Sequence, residues 1–170
     1  MRVRISLCVS FLVLLSVCFT SCKKKELKDF TFSYSMECVS NYWVSVSFDS
    51  ERNFRMERRN YYVDNFARKR NPKIMEGKMN DEEFASLIEV LQDCDLYKME
   101  DSYGFEKEVR EDVGDIMYQI SFSSEGREKK FISIRSDPDI RFPSSFIKLI
   151  GFINSFVSDH RNDENVAEQS

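Results

Sequence analysis

The sequence predicts an α+β fold: a single domain in which an antiparallel sheet of about five strands carries two helices on one face, in the order β-β-β-α-β-β-α. Three observations predict it. Several segments alternate apolar and polar residues with a period of two. Two segments repeat apolar residues at helical spacing. The links between neighbouring strands are short and turn-like, which implies antiparallel pairing.

The first strand is read over Phe30, Phe32, Tyr34, Met36 and Cys38, with Thr31, Ser33, Ser35 and Glu37 on its other side. The second repeats the pattern with Tyr42, Val44, Val46 and Phe48 against Asn41, Ser45 and Ser47, and Trp43 interrupts its polar side. Residues 49–53 form a turn, and a third strand starts at Phe54 and Met56 and runs towards Tyr61, Tyr62 and Val63. Residues 64–80, polar and punctuated by Pro72 and Gly77, read as a long connection.

A helix is expected over 81–94. Asn80 is a good N-cap, Glu83 stands at the capping-box position, and Asp81 and Glu82 complement the helix dipole. Phe84, Leu87, Ile88, Leu91 and Cys94 form its apolar stripe. After a polar stretch at 100–115, Ile116, Tyr118, Ile120 and Phe122 mark a strand. Residues 124–127 turn the chain into a return strand from Phe131 to Ile134. The second helix, over 143–158, starts at Pro143, where the missing N–H costs nothing, and presents Phe146, Leu149, Ile150, Ile153, Phe156 and Val157. The globular domain is thus expected over 30–158, with a polar, mobile tail over 159–170.

Composition narrows the chemistry. With 42% hydrophobic residues, 5 Gly and 3 Pro, the chain is neither disordered nor fibrous. A net charge of −4 disfavours a dedicated nucleic-acid binder. The one His, His160, leaves no Ser-His-Asp or Cys-His catalytic set and no His-built zinc site. Gly-rich phosphate loops, paired Cys-x-x-Cys motifs and haem-attachment motifs are also missing, so no cofactor, catalytic residue or metal site is expected.

The first residues read as an address. Arg2 and Arg4 precede an uncharged run from Ile5 to Cys22 that is interrupted by several Ser and Thr and is marginal for spanning a bilayer. Its exit, Phe19-Thr20-Ser21-Cys22, resembles the signal of bacterial lipoproteins of the Bacteroidota type. That resemblance implies a signal peptide over 1–21 and a lipidated N-terminus and linker over 22–29. Cys22 would carry the acyl chains, each buried CH₂ being worth ~0.8 kcal/mol. Lys23, Lys24 and Lys25 would lie at the headgroups. The residues after Cys22 look unlike an inner-membrane retention signal and lack the acidic stretch that resembles a surface-export tag, so the resemblance implies the outer membrane, facing the periplasm. Cys38, followed by Tyr42 and an alternating strand, with Phe84, Leu87, Tyr103 and the 112–115 region beyond, is also similar to a small lipoprotein domain family of unknown function, which implies no activity.

Four groups of residues are candidates for function or stabilisation. Cys38 and Cys94 are a candidate disulfide, since an exported chain meets an oxidising compartment. Closing a loop of about 56 residues would stabilise by ~4 kcal/mol, and two buried thiols are the alternative. The segment 52–78 is rich in Arg and Lys, interleaved with Tyr61, Tyr62 and Phe66. It is either a surface for lipid headgroups, an anionic glycan or an acidic protein, or a solvated strand and loop. Trp43, Arg58, Arg59, Tyr61 and Tyr62 are the binding candidates, because Trp, Tyr and Arg dominate hot spots. The acidic 100–115 stretch offers Asp112 and Asp115 as an acid/base pair.

The expected function is therefore a membrane-anchored, non-catalytic binding or interaction module of the cell envelope, of which an inhibitor or immunity protein is one form. Its partners are the membrane, through Cys22, and an envelope protein or an anionic glycan or lipid, not nucleic acid. A carboxylate-dependent hydrolase and a purely structural lipoprotein are the alternatives.

Overall fold

The computed structural model describes residues 27–38, 41–66, 71–105, 116–136 and 140–167. In chain order the elements are β1 (Thr31–Cys38), β2 (Tyr42–Asp49), β3 (Asn53–Asn60), α1 (Tyr61–Phe66), β4 (Lys73–Lys78), α2 (Asp81–Asp93), a 3-10 turn (Leu96–Lys98), β5 (Ser102–Tyr103), β6 (Ile116–Ser123), β7 (Lys130–Arg135) and α3 (Ser144–Ala167).

The class is α+β, but the sheet corrects the expectation of five antiparallel strands. Among the described residues it has seven strands in the order β4-β3-β2-β1-β6-β7-β5, and it is mixed: β5 runs parallel to β7 while the other pairs are antiparallel. Both unexpected strands are at the edges. β4 reads KIMEGK and is almost wholly exposed, so it never needed the apolar alternation that betrays a half-buried strand. β5 is two residues long and is held by backbone bonds, which leave no side-chain pattern.

A third helix, α1, replaces the expected extension of β3. Asn60 ends the strand by capping: its side chain accepts from the Val63 N–H (3.1 Å), while the Asp64 carboxylate accepts from the Asn60 N–H (3.0 Å). That reciprocal arrangement satisfies two backbone donors and turns the chain out of the sheet. The Asn80–Glu83 capping box of α2 forms as the sequence predicts, with both bonds at 2.8 Å.

One face of the sheet carries the core. Phe32 and Tyr34 of β1, Val44, Val46 and Phe48 of β2, Phe54 and Met56 of β3, and Ile120, Phe122, Ile132 and Ile134 of β6 and β7 share it by register, and all are buried. Helices α2 and α3 cover it and pack against one another. Phe156 of α3 meets Phe48 and Phe54 edge-on, with centroids 5.0 and 5.1 Å apart, and Phe84 of α2 stacks on Phe30 at 6.3 Å.

α3 runs to Ala167, past the expected end at 158, so the segment expected to be a mobile tail is helical up to that residue. His160 fastens its continuation. The ring stacks on Phe156 at 4.0 Å, meets Phe54 edge-on at 4.9 Å, and lies 3.8 Å from the Glu83 carboxylate. Its Nδ1–H donates to the Phe156 carbonyl (3.0 Å).

Candidate functional site on the uncovered sheet face

Side chains alternate across a sheet, so the residues between the core positions all point to the other face. There the register sets them in rows. One row runs Glu76, Arg55, Ser47, Ser33, Ser121, Phe131. The next runs Ile74, Glu57, Ser45, Ser35, Gln119, Ser133. The third runs Arg59, Trp43, Glu37, Met117, Arg135. Helix α1 reaches one end of this face through Tyr61, and the middle of the face is a floor of small hydroxyls. Thr31 and Ser123 hydrogen-bond across it at 2.8 Å.

The third row brings together three of the five binding candidates. Trp43, half-buried, stands between Arg59 and Glu37 on the neighbouring strands. Tyr61, two residues beyond Arg59, closes the row: its ring lies 5.0 Å from the Arg59 guanidinium, and its hydroxyl donates to Glu37 (3.3 Å). The Arg59 Nε is buried and finds no hydrogen-bond partner among the described residues. The Tyr61 phenol is raised above its ordinary pKa, by burial first and by the Glu37 charge second, with Arg59 pulling it partly back.

Arg58 does not join them. It lies opposite Val44 and Lys73, on the helix-bearing face, because adjacent residues of a strand point to opposite sides. The side chain of Tyr62 lies outside the described residues, as do Cys22, Asp112 and Asp115. Cys38 and Cys94 are both thiols and form no disulfide: one ends β1, the other caps α2.

The basic segment 52–78 is not one surface either. Arg52 pairs with Asp81 and lies over the Phe84 ring, while Arg55 pairs with Glu57 and Glu76. On the uncovered face Glu37, Asp49, Glu57 and Glu76 balance Arg55, Arg59, Lys78 and Arg135. A shallow depression of about 700 Å³, lined among others by Ser33, Ser47, Asn53, Arg55 and Glu76, occupies the end of this face away from Trp43.

Sequence reading missed Glu37, which flanks Trp43, Met117 and Arg135, which continue its row, and the hydroxyl floor beside them. Their signal lay in the polar half of each alternating strand, but only the pairing register shows that those halves adjoin. Among the described residues no group of His, Cys, Asp and Glu could hold a metal ion, and no helix is long and apolar enough to cross a membrane.

The geometry also gives the site a direction. The chain enters at Leu27 and Lys28, beside the two turns that join β2 to β3 and β6 to β7: the Phe30 carbonyl accepts from the Ser50 N–H (3.1 Å) and the Lys28 carbonyl from the Glu125 N–H (3.5 Å). Trp43 pairs with Glu37 near the opposite end of β1, about 20 Å away at the rise of a strand. No protein-family model matches the chain, and no curated protein is significantly similar to it.

Proposed function

We propose that this protein is a lipid-anchored, non-catalytic binding module of the cell envelope, held through Cys22 and engaging its partner with the uncovered sheet face around Trp43, Arg59 and Tyr61. The observation that carries the reading is the separation of the two ends. The chain joins the domain at one end of the strands, and the aromatic–arginine row lies at the other. A tether at Leu27 therefore holds that row away from the bilayer, where a partner can reach it. A half-buried Trp flanked by an Arg and a carboxylate is the kind of anchor on which binding energy concentrates.

Two measurements test this. Cys22→Ser is expected to abolish fatty-acid labelling and to move the protein into the soluble fraction; continued labelling would overturn the anchor. A photo-crosslinker placed at Ser45, on the uncovered face, is expected to form a discrete adduct in cells, and one at Ser155, on the exposed side of α3, is not. Adducts from Ser155 alone would overturn the choice of face.

A further inference from the structure

Resting on that binding-module reading, we propose that the ligand of the uncovered face is a neutral, linear glycan that stacks on Trp43 and lies along the strands over the serine floor.

The chemistry of the floor points to a polyol. Ser33, Ser35, Ser45 and Ser47 each offer a donor and acceptors, as sugar hydroxyls do, and small side chains leave a level surface on which a flat ring can rest. Trp43, half-buried, supplies an aromatic side chain at one end. On its two sides Arg59 and Glu37 offer a planar fork of donors and a pair of acceptors, one strand spacing away in each direction.

Charge argues against a polyanion. The Arg55 guanidinium is already committed to Glu57 and Glu76, and acids and bases balance among the described residues of the face. An anionic polymer would find no surplus of positive potential to draw it in.

The distribution of apolar side chains argues against a protein. Protein interfaces concentrate aromatic and aliphatic anchors at the centre and surround them with a polar rim. Here the order is inverted. Ile74 and Phe131, 51% and 60% exposed, lie at the margins and Trp43 near one end, while the centre is hydroxyl.

Size sets the ligand's length. Trp43 and Ser47, at the depression, are four residues apart on β2, a run of ~13 Å. A monosaccharide on Trp43 would leave the depression empty, so the ligand is an oligomer.

Trp43 is the single Trp of the chain, so its emission reports on the site directly. Full-length protein in detergent would be titrated with hexasaccharides of glucose and of N-acetylglucosamine, with the monosaccharides, and with polyphosphate. At least one hexasaccharide is expected to shift the emission in a saturable way and to bind about tenfold or more tighter than its monosaccharide. By calorimetry, Trp43→Ala is expected to weaken binding about tenfold, as loss of a stacking partner does, and Trp43→Phe to retain most of it. Ser45→Lys, which crowds the floor and leaves the indole in place, is expected to weaken it as well. Failure of every hexasaccharide to bind, unchanged affinity in both Trp43→Ala and Ser45→Lys, or binding of polyphosphate alone would each overturn the glycan. A protein adduct from the Ser45 crosslinker combined with no hexasaccharide binding would sink the ligand class while leaving the binding face standing.

Discussion

The Tyr61 hydroxyl donates to the Glu37 carboxylate across 3.3 Å, joining the first residue of α1 to the far end of β1. Trp43 stands between Glu37 and Arg59 in the sheet, and Tyr61 touches both of its neighbours. The phenol thus braces the row from the side. Tyr61→Phe is expected to cost about 1 kcal/mol or less of stability, since one half-exposed hydrogen bond is lost and the ring remains. The folded phenol keeps its proton above its ordinary pKa, chiefly through burial and then through Glu37. Its contribution is therefore complete below about pH 10 and is lost as the pH climbs through its raised value. A spectrophotometric titration, taken as the difference between wild type and Tyr61→Phe, is expected to place this phenol above the usual range. Glu37→Gln is expected to move it back down.

Cys94 is nearly inaccessible, and burial pushes its thiol up to about 11, with the Asp95 charge adding to the effect and a hydrogen bond with Ser145 opposing it. Because a thiolate is the reactive form, Cys94 is expected to resist alkylation at pH 8 and Cys38, which is only half-buried, to react first. The folded thiol holds its proton to a higher pH than the unfolded one, so the stability it contributes is complete below pH 9 and is lost between about pH 9 and pH 11. Urea midpoints measured across that window are expected to fall more steeply for wild type than for Cys94→Ala.

Phe156 is the point at which α3 meets β2 and β3, with ring contacts to Phe48, Phe54, Phe152 and His160. Phe156→Ala is expected to cost about 3–5 kcal/mol, because the buried ring leaves a cavity that four neighbours cannot fill together. It also removes the platform under His160. Hydrogen exchange is expected to show backbone amides after residue 160 losing protection before the rest of α3.

Gly104 and Gly126 both adopt a positive φ, +79° and +71°, but their surroundings differ. A Cβ on Gly104 would come within 2.5 Å of the Arg135 carbonyl oxygen, whereas one on Gly126 would meet nothing. Gly126→Ala is expected to cost about 1 kcal/mol, the conformational penalty alone. Gly104→Ala is expected to cost more and to loosen β5 from β7. Chemical denaturation compares the two, and exchange at the Ser133 amide, which donates to Asp101 (2.9 Å), reports the strand pair.

How far the residues disclosed this arrangement depended on burial. β1, β2 and β6, and the helix α2 with its capping box, announce themselves because each buries one side against the core and must repeat apolar residues to do so. β4 escapes that requirement at the edge, and β5 is a matter of backbone bonds. The replacement of the β3 extension by α1 turned on Asn60 and Asp64, whose capping signal competes with the strand-like residues Tyr61, Tyr62 and Val63. The continuation of α3 depends on what His160 meets from other elements, which no local pattern records. The candidate site was half legible. Trp43 stood out as an aromatic on a polar side, but Arg58 and Arg59 could be told apart only by their phase relative to Val44 and Trp43.

The polar edge strand has a bearing on how copies of this chain would live side by side. Were two β4 strands to pair antiparallel about their midpoint, Lys73 of each would fall opposite Lys78 of the other, and like charges directly opposed repel. Pro72, just before the strand, has no N–H with which to lengthen such a ladder. Molecules confined to a surface collide far more often than in bulk, and a naked edge would then zip neighbours into ribbons. On the proposed anchor at Cys22, a margin guarded by lysine and proline would let neighbouring domains remain separate particles.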